Sequence, residues 1–217
     1  MKKIYHIFGR SALCLLLLSV FMTSTAFATP KEEARQRLQN AVNEISATLS
    51  KSDLTNLSEN SPVINELESM ILDIFSLDQF SMRTVGKKWR TFTPAQKKAF
   101  KKSFIELLKT TYFSHISAYE NNKVAITGER TNRKGDKVEV MTTVAFKGKN
   151  VPVNYRMLNY KGSWMVYDVV VEGVSLVKNY RTQFKELLRH GTPDELIAKL
   201  QDKASRIRKK RMEEAKQ

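Results

Sequence analysis

Cysteine is almost missing from this chain: the single one, Cys14, sits inside an N-terminal apolar run. If that run is removed, no thiol remains, which excludes disulfides, thiolate nucleophiles and thiolate metal sites together. A lipoprotein reading of Cys14 is disfavoured, because Leu13 precedes it where a small residue is wanted and most of the apolar run follows it. Histidine is nearly as scarce, with three in 217 residues. The sequence has no paired-histidine metal motif, no glycine-rich phosphate loop and no nucleophile elbow. It also lacks a Gly/Ser linker and an internal repeat, which points to one domain. No second run of about 20 apolar residues follows the first, so the rest of the chain carries no bilayer-spanning segment. Acidic residues are outnumbered, 22 against 37 Lys and Arg, for a formal charge of +15.

The N-terminus reads as a removable export signal. Lys2, Lys3 and Arg10 form a positive region, Ala12–Phe21 an apolar one, and Ala26-Phe27-Ala28 a cleavage site. The expected division is a signal peptide over residues 1–28 and one domain over 29–217, whose end from about 203 is heavily charged. Cleavage after Ala28 leaves 189 residues and a charge of +12. That length suits a single core. So basic a surface attracts an anionic partner or serves as a soluble coat, and charge alone leaves both open.

Periodicity supplies the elements. Lys31–Leu49 reads as a helix with Leu38, Val42, Ile45 and Leu49 on one face. Ser61-Pro62 caps a second helix, and Leu77–Val85 reads as a short third. Thr93-Pro94 opens the longest, to about Tyr119. Its apolar arc of Phe100, Phe104, Leu107, Leu108, Thr111 and His115, widened by Ile105 and Tyr112, is broad enough to touch more than one layer. Four strands follow: Lys123–Glu129, Lys137–Lys147, Val151–Leu158 and one from Trp164. Strict alternation in the last places Trp164, Val166, Asp168 and Val170 on one face. At Glu172-Gly173 the period changes from two to three or four, so the strand is expected to turn into a helix through Tyr180, Phe184 and Leu188. Thr192-x-x-Glu195 is a capping box for a final helix. The layout is α+β: a curved antiparallel sheet of about four strands packed against helices from both ends of the chain. It resembles the NTF2-like and cystatin-like class.

Several segments together carry a family resemblance. They are Trp164-x-Val166-Tyr167-Asp168-Val169, Glu172-Gly173-Val174-Ser175-Leu176-Val177 and Asn179-Tyr180-Arg181-x-Gln183-Phe184. With them go Val85-Gly86-Lys87-Lys88-Trp89-Arg90, Thr93-Pro94-x-Gln96 and Val151-Pro152-Val153-Asn154-Tyr155-Arg156. These resemble the MlaC family of periplasmic phospholipid carriers, also described as toluene-tolerance auxiliary proteins, from about Leu77 to Leu200. The family more often has leucine and an aromatic where this chain has Val85 and Lys88.

The resemblance implies a non-enzymatic periplasmic carrier with no cofactor, its cargo a phospholipid with tails inside and headgroup at the mouth. It implies shuttling between an outer-membrane lipoprotein–porin complex and an inner-membrane ABC transporter carrying an MCE subunit, which maintains outer-membrane lipid asymmetry. Two tails of roughly 30 methylenes, at about 0.8 kcal/mol each, oppose release into water by on the order of 20–25 kcal/mol. A carrier must therefore enclose them in a dry apolar cavity. Candidate walls are Val144, Val153, Tyr155, Val166 and Val170 on the sheet, with Phe104, Leu107, Leu108, Tyr112, Leu176 and Phe184 on the helices. Tyr180 and Arg181 are candidates for the mouth. Periodicity does not separate a cavity wall from a filled core.

Two rivals come from other classes. Asp168, the one carboxylate in an apolar strand, is either a general base in an enzyme pocket or a structural partner of Arg156 or Arg181 at the sheet-to-helix corner. The basic surface alternatively suits a polyanion-binding module. Aromatics lie mostly on apolar faces rather than among the basic residues, which argues against a stacking platform for single strands, and no nucleic-acid partner is expected. His115 reads as a core or cavity-edge side chain, and His190 as a cation at a helix C-terminus.

Overall fold

A computed structural model describes residues 28–52, 61–116 and 124–214, without the side chains of 113–116. Residues 1–27 of the expected export signal and the His115 side chain lie outside the described residues. Helix α1 spans Pro30–Lys51, α2 Pro62–Ile74, α3 Leu77–Val85 and α4 Pro94–Ile116, with a 3₁₀ turn at Gly86–Thr91. Strands β1 (Val124–Thr131), β2 (Lys137–Phe146), β3 (Lys149–Tyr160), β4 (Ser163–Val171) and β5 (Val174–Ser175) come next, then α5 (Leu176–His190) and α6 (Pro193–Glu214). Four of the five prolines stand at the first position of α1, α2, α4 and α6, where a missing N–H costs nothing. A hydroxyl precedes each of them. Thr29 and Glu32, Thr93 and Gln96, and Thr192 and Glu195 form reciprocal capping boxes.

The sheet is a five-stranded antiparallel meander in sequence order. Three of its connections are two-residue turns: Lys147-Gly148, Lys161-Gly162 and Glu172-Gly173. In each, both residues have positive φ, the geometry that matches the strands' right-handed twist. Glu172-Gly173 is thus a hairpin turn. The chain reverses there into β5 before α5 begins, where the sequence suggested a direct bend into helix. The outer edge of β4 is covered by β5 and by Phe75, which bridges Val166 in parallel while the Ser76 amide donates to the Val166 carbonyl at 2.9 Å.

Alternation fails in the middle of β4. Met157 pairs with Val166 but Arg156 pairs with Asp168, so Tyr167 is the extra residue of a bulge. Val166 and Val169 therefore share a face with Trp164, and Asp168 and Val170 lie on the other. This corrects the expected grouping of Val166 with Val170.

Burial is divided between two large cores and a small third cluster, Leu49, Ile64 and Leu67, between α1 and α2. One lies between α1 and the sheet: Ala34, Leu38, Ala41 and Ile74 against Val138, Val140, Met157, Trp164, Val166 and Val169. Trp164 Nε1 donates to Glu33 at 2.9 Å and fixes the start of α1 on the sheet. The other core is helical, built from α3, α4, α5, α6 and the 3₁₀ turn around Phe80, Phe92, Phe100, Phe104, Tyr180 and Phe184. Helices α4 and α6 lie side by side and parallel, linked in step by Gln96 to Asp194, Gln201 to Ser103 and Arg208 to Glu106. The broad apolar face of α4 is filled within this helical module, and no strand residue belongs to the cluster.

Candidate functional site

The α1 side of the sheet is mostly apolar across β2, β3 and β4, because register aligns like residues across the strands. Val138 and Met157 pair, and Met157 pairs with Val166, in a row buried to 2%, 0% and 0% exposure beneath α1. Further along, Ile126, Thr142, Val153 and Val171 form a second row across four strands. There Ile126, Val153 and Val171 are only partly buried, as is Tyr155 beside them, while Thr142 turns its hydroxyl to the Val153 carbonyl at 2.6 Å. Val144, beyond that row on the same face, is buried. One end of this face is thus sealed by α1, and the other keeps apolar surface partly open.

The expected wall residues fall into two groups. Val144, Val153, Tyr155 and Val166 share the α1 face, whereas Val170 is on the reverse, paired with Asn154 and Ser175. Phe104, Leu107 and Phe184 are buried at the centre of the helical module, with Leu108 packed against it. The Phe104 ring lies 4.9 Å from Tyr180, 5.3 Å from Phe184 and 5.4 Å from Phe80. These rings fill the module's own core and do not face the sheet, because α4 packs on α6 and its rings meet α3 and α5. Tyr112 is more exposed, at 38%. Leu176 belongs to both groups, touching the sheet core and the helical core at once. Phe75 and Phe80 make the matching contact, edge to face at 6.3 Å. The two cores therefore meet along a narrow seam at the β4 edge.

Of the expected mouth residues, Tyr180 is buried, its phenol hydrogen-bonded to Tyr112; burial, with Tyr112 adding, pushes that phenol above its ordinary range. Arg181 is exposed, its guanidinium lying over Gly86, where a Cβ would stand 3.2 Å from it. Gly86 also has φ +70°, the left-handed conformation that favours glycine. A surface hollow of about 360 Å³ lies elsewhere, between the end of α5 and the start of α6, and none of the expected wall residues lines it.

Asp168 has a structural task. Its Oδ2 accepts from Arg156 Nη1 at 2.9 Å and from the Ser175 hydroxyl at 2.7 Å, and its Oδ1 from the Val177 amide at 3.0 Å. Ser175 in turn accepts from the Lys178 amide and caps α5. One buried carboxylate thereby joins β3, β4 and the first turn of α5. Arg156 also reaches Glu139, 3.4 Å away, which accepts from Arg130 and Asn154. Burial alone would raise the Glu139 carboxyl, but hydrogen bonds from Arg130 and Asn154 and the Arg156 charge outweigh it and hold it below the ordinary range.

Sequence reasoning missed Ile126, Val171, Phe75 and Glu139. A signal existed for Val171, the antiparallel partner of Val153, a residue already singled out; Ile126 pairs instead with Thr142. Phe75 lies in a helix–helix connection, and no pattern marks such a residue as a strand partner.

A protein-family model for MlaC protein matches residues 39–202. The intermembrane phospholipid transport system binding protein MlaC of Haemophilus influenzae is 25% identical over 139 residues, covering 62% of this chain and 65% of that protein. The toluene tolerance protein ttg2D of Pseudomonas putida is 24% identical over 187 residues, 85% of each chain. A solved structure of the phospholipid-binding protein from Ralstonia solanacearum, in complex with a phospholipid, has the same fold. Its TM-score is 0.67 at 22% identity, over 83% of this chain and 99% of that one. With three quarters of its length under one family model, the chain belongs to the MlaC protein family.

Proposed function

We propose that the protein is a non-enzymatic phospholipid carrier, exported to the periplasm on a signal cleaved after Ala28. In this reading it moves lipid between the outer and inner membranes and maintains outer-membrane lipid asymmetry. Its partners are an outer-membrane lipoprotein–porin complex and an inner-membrane ABC transporter complex with an MCE subunit. Phospholipid is the cargo and no cofactor takes part. One observation in the chain itself carries the reading: the partly open row of Ile126, Val153 and Val171, interrupted only by Thr142 and flanked by Tyr155 on the same face. Family membership and the phospholipid bound to the similar Ralstonia protein support it.

Such a row is a foothold for acyl chains rather than a finished cavity, since two tails demand on the order of 20 kcal/mol of burial. The remaining surface comes from parting α1 or the helical module from the sheet. Ligand then stabilises the open arrangement by its differential contacts. Native mass spectrometry of gently purified protein tests this: the expected result is about one diacyl lipid per chain. Val171→Glu, which places a charge in the open row, is expected to lose that lipid while keeping a cooperative unfolding transition. Repeated recovery of empty wild-type protein would refute the carrier reading.

A further inference from the structure

Charge is distributed very unevenly between the elements. Residues 30–85, which hold α1 to α3, carry five Lys and Arg against nine Asp and Glu; residues 86–116, the 3₁₀ turn and α4, carry eight against one. Lys87, Lys88 and Arg90 on the turn, with Lys98 and Lys102 one turn apart on α4, are all exposed, and among the described residues none has an ion-pair partner. Trp89 fixes the turn against α4, its ring 5.6 Å from that of Phe100, so the cations of both segments are held in one place. Parallel to α4, α6 adds the exposed Lys209.

We infer that the outward face of the 3₁₀ turn, α4 and α6 is a docking surface for an anionic phospholipid bilayer. Three features favour a lipid surface over an acidic protein. The cations are mostly lysines, which are depleted from protein–protein interfaces but act as point charges on a diffuse anionic plane. They spread over a surface of two parallel helices. Apart from Tyr112 and Met212, exposed near the C-terminal ends of α4 and α6, the large apolar side chains of these segments are turned into the helical core and supply no central anchor of the kind protein interfaces use. Docking of this kind does not require that the protein carry lipid.

Co-sedimentation with vesicles tests it, using phosphatidylcholine alone and phosphatidylcholine with about one third phosphatidylglycerol. Binding is expected only to the anionic vesicles, weakening as salt shortens the screening length. Neutral vesicles report any contribution of the N-terminal apolar run. Each lysine neutralised on the face is expected to cost about fivefold in partition, so K88Q/K98Q/K102Q costs on the order of a hundredfold. K134Q/K147Q/K149Q changes net charge equally at exposed sheet turns and is expected to cost less than about threefold. Equal losses in the two triple variants would overturn the proposal, as would equal binding to neutral vesicles or no binding to anionic ones. Lipid occupancy by native mass spectrometry, unchanged in K88Q/K98Q/K102Q, separates failure of docking from failure of the carrier reading.

Discussion

Asp168 holds three donors with two oxygens, and each donor belongs to a different segment: Arg156 of β3, Ser175 at the α5 cap and the Val177 amide within α5. Asp168→Ala takes from the part-buried Arg156 guanidinium one of its two carboxylate partners and leaves two polar groups without their acceptor, and is expected to destabilise the fold by about 3 kcal/mol in urea titration. Asp168→Asn retains part of the geometry and is expected to cost about half as much. Neither is expected to abolish lipid occupancy of the folded fraction; complete loss in Asp168→Asn would give the carboxylate a direct role. Glu139 adds a pH dependence. Its folded pKa is lowered, so its contribution is present above the ordinary carboxylate range and is lost as pH falls through the folded value. Stability is therefore expected to fall on the acid side below about pH 4.5, and Glu139→Gln to flatten that limb in thermal melts run across pH. The corner role of Asp168 was one of two readings the sequence allowed, since a lone carboxylate in an apolar strand must be satisfied by something. The face of Val170 was not legible. A one-residue bulge at Tyr167 inverts every side chain after it, and no composition signal marks it.

Helix starts were legible because each has a chemical cause: proline at the first position and a hydroxyl before it recur four times. The four longer strands and their hairpin order were also legible from the turns. The β5 hairpin was not, because a two-residue strand is too short to show a period. Its turn places Glu172 at φ 49° and Gly173 at φ 83°. Glu172→Asn, which tolerates that conformation better, is expected to stabilise by up to about 1 kcal/mol. Gly173→Ala is expected to destabilise by at least that much, both read from denaturation midpoints. The breadth of the α4 arc was visible in the sequence, but its partners were not. Periodicity gives a direction and a width, and whether a face meets a sheet or another helix depends on chain topology.

Across the molecule, the two cores meet mainly through Leu176, the Phe75–Phe80 contact and the covered β4 edge. Such an arrangement favours sub-global opening over uniform breathing. Native-state hydrogen exchange is expected to show the α4–α6 amides and the β2–β4 amides in separate protection classes, with Ser76 and the β5 hairpin exchanging ahead of both. A single class with one opening energy would mean that the halves do not part independently. The start of α1 has a consequence of its own. The Thr29 nitrogen donates to Glu32 Oε2 at 2.7 Å as the cap of the helix. The cut proposed after Ala28 would convert that amide into an ammonium group, a cation whose counterion is already in place. The newborn terminus would be clamped onto its first helical turn from the moment it is made.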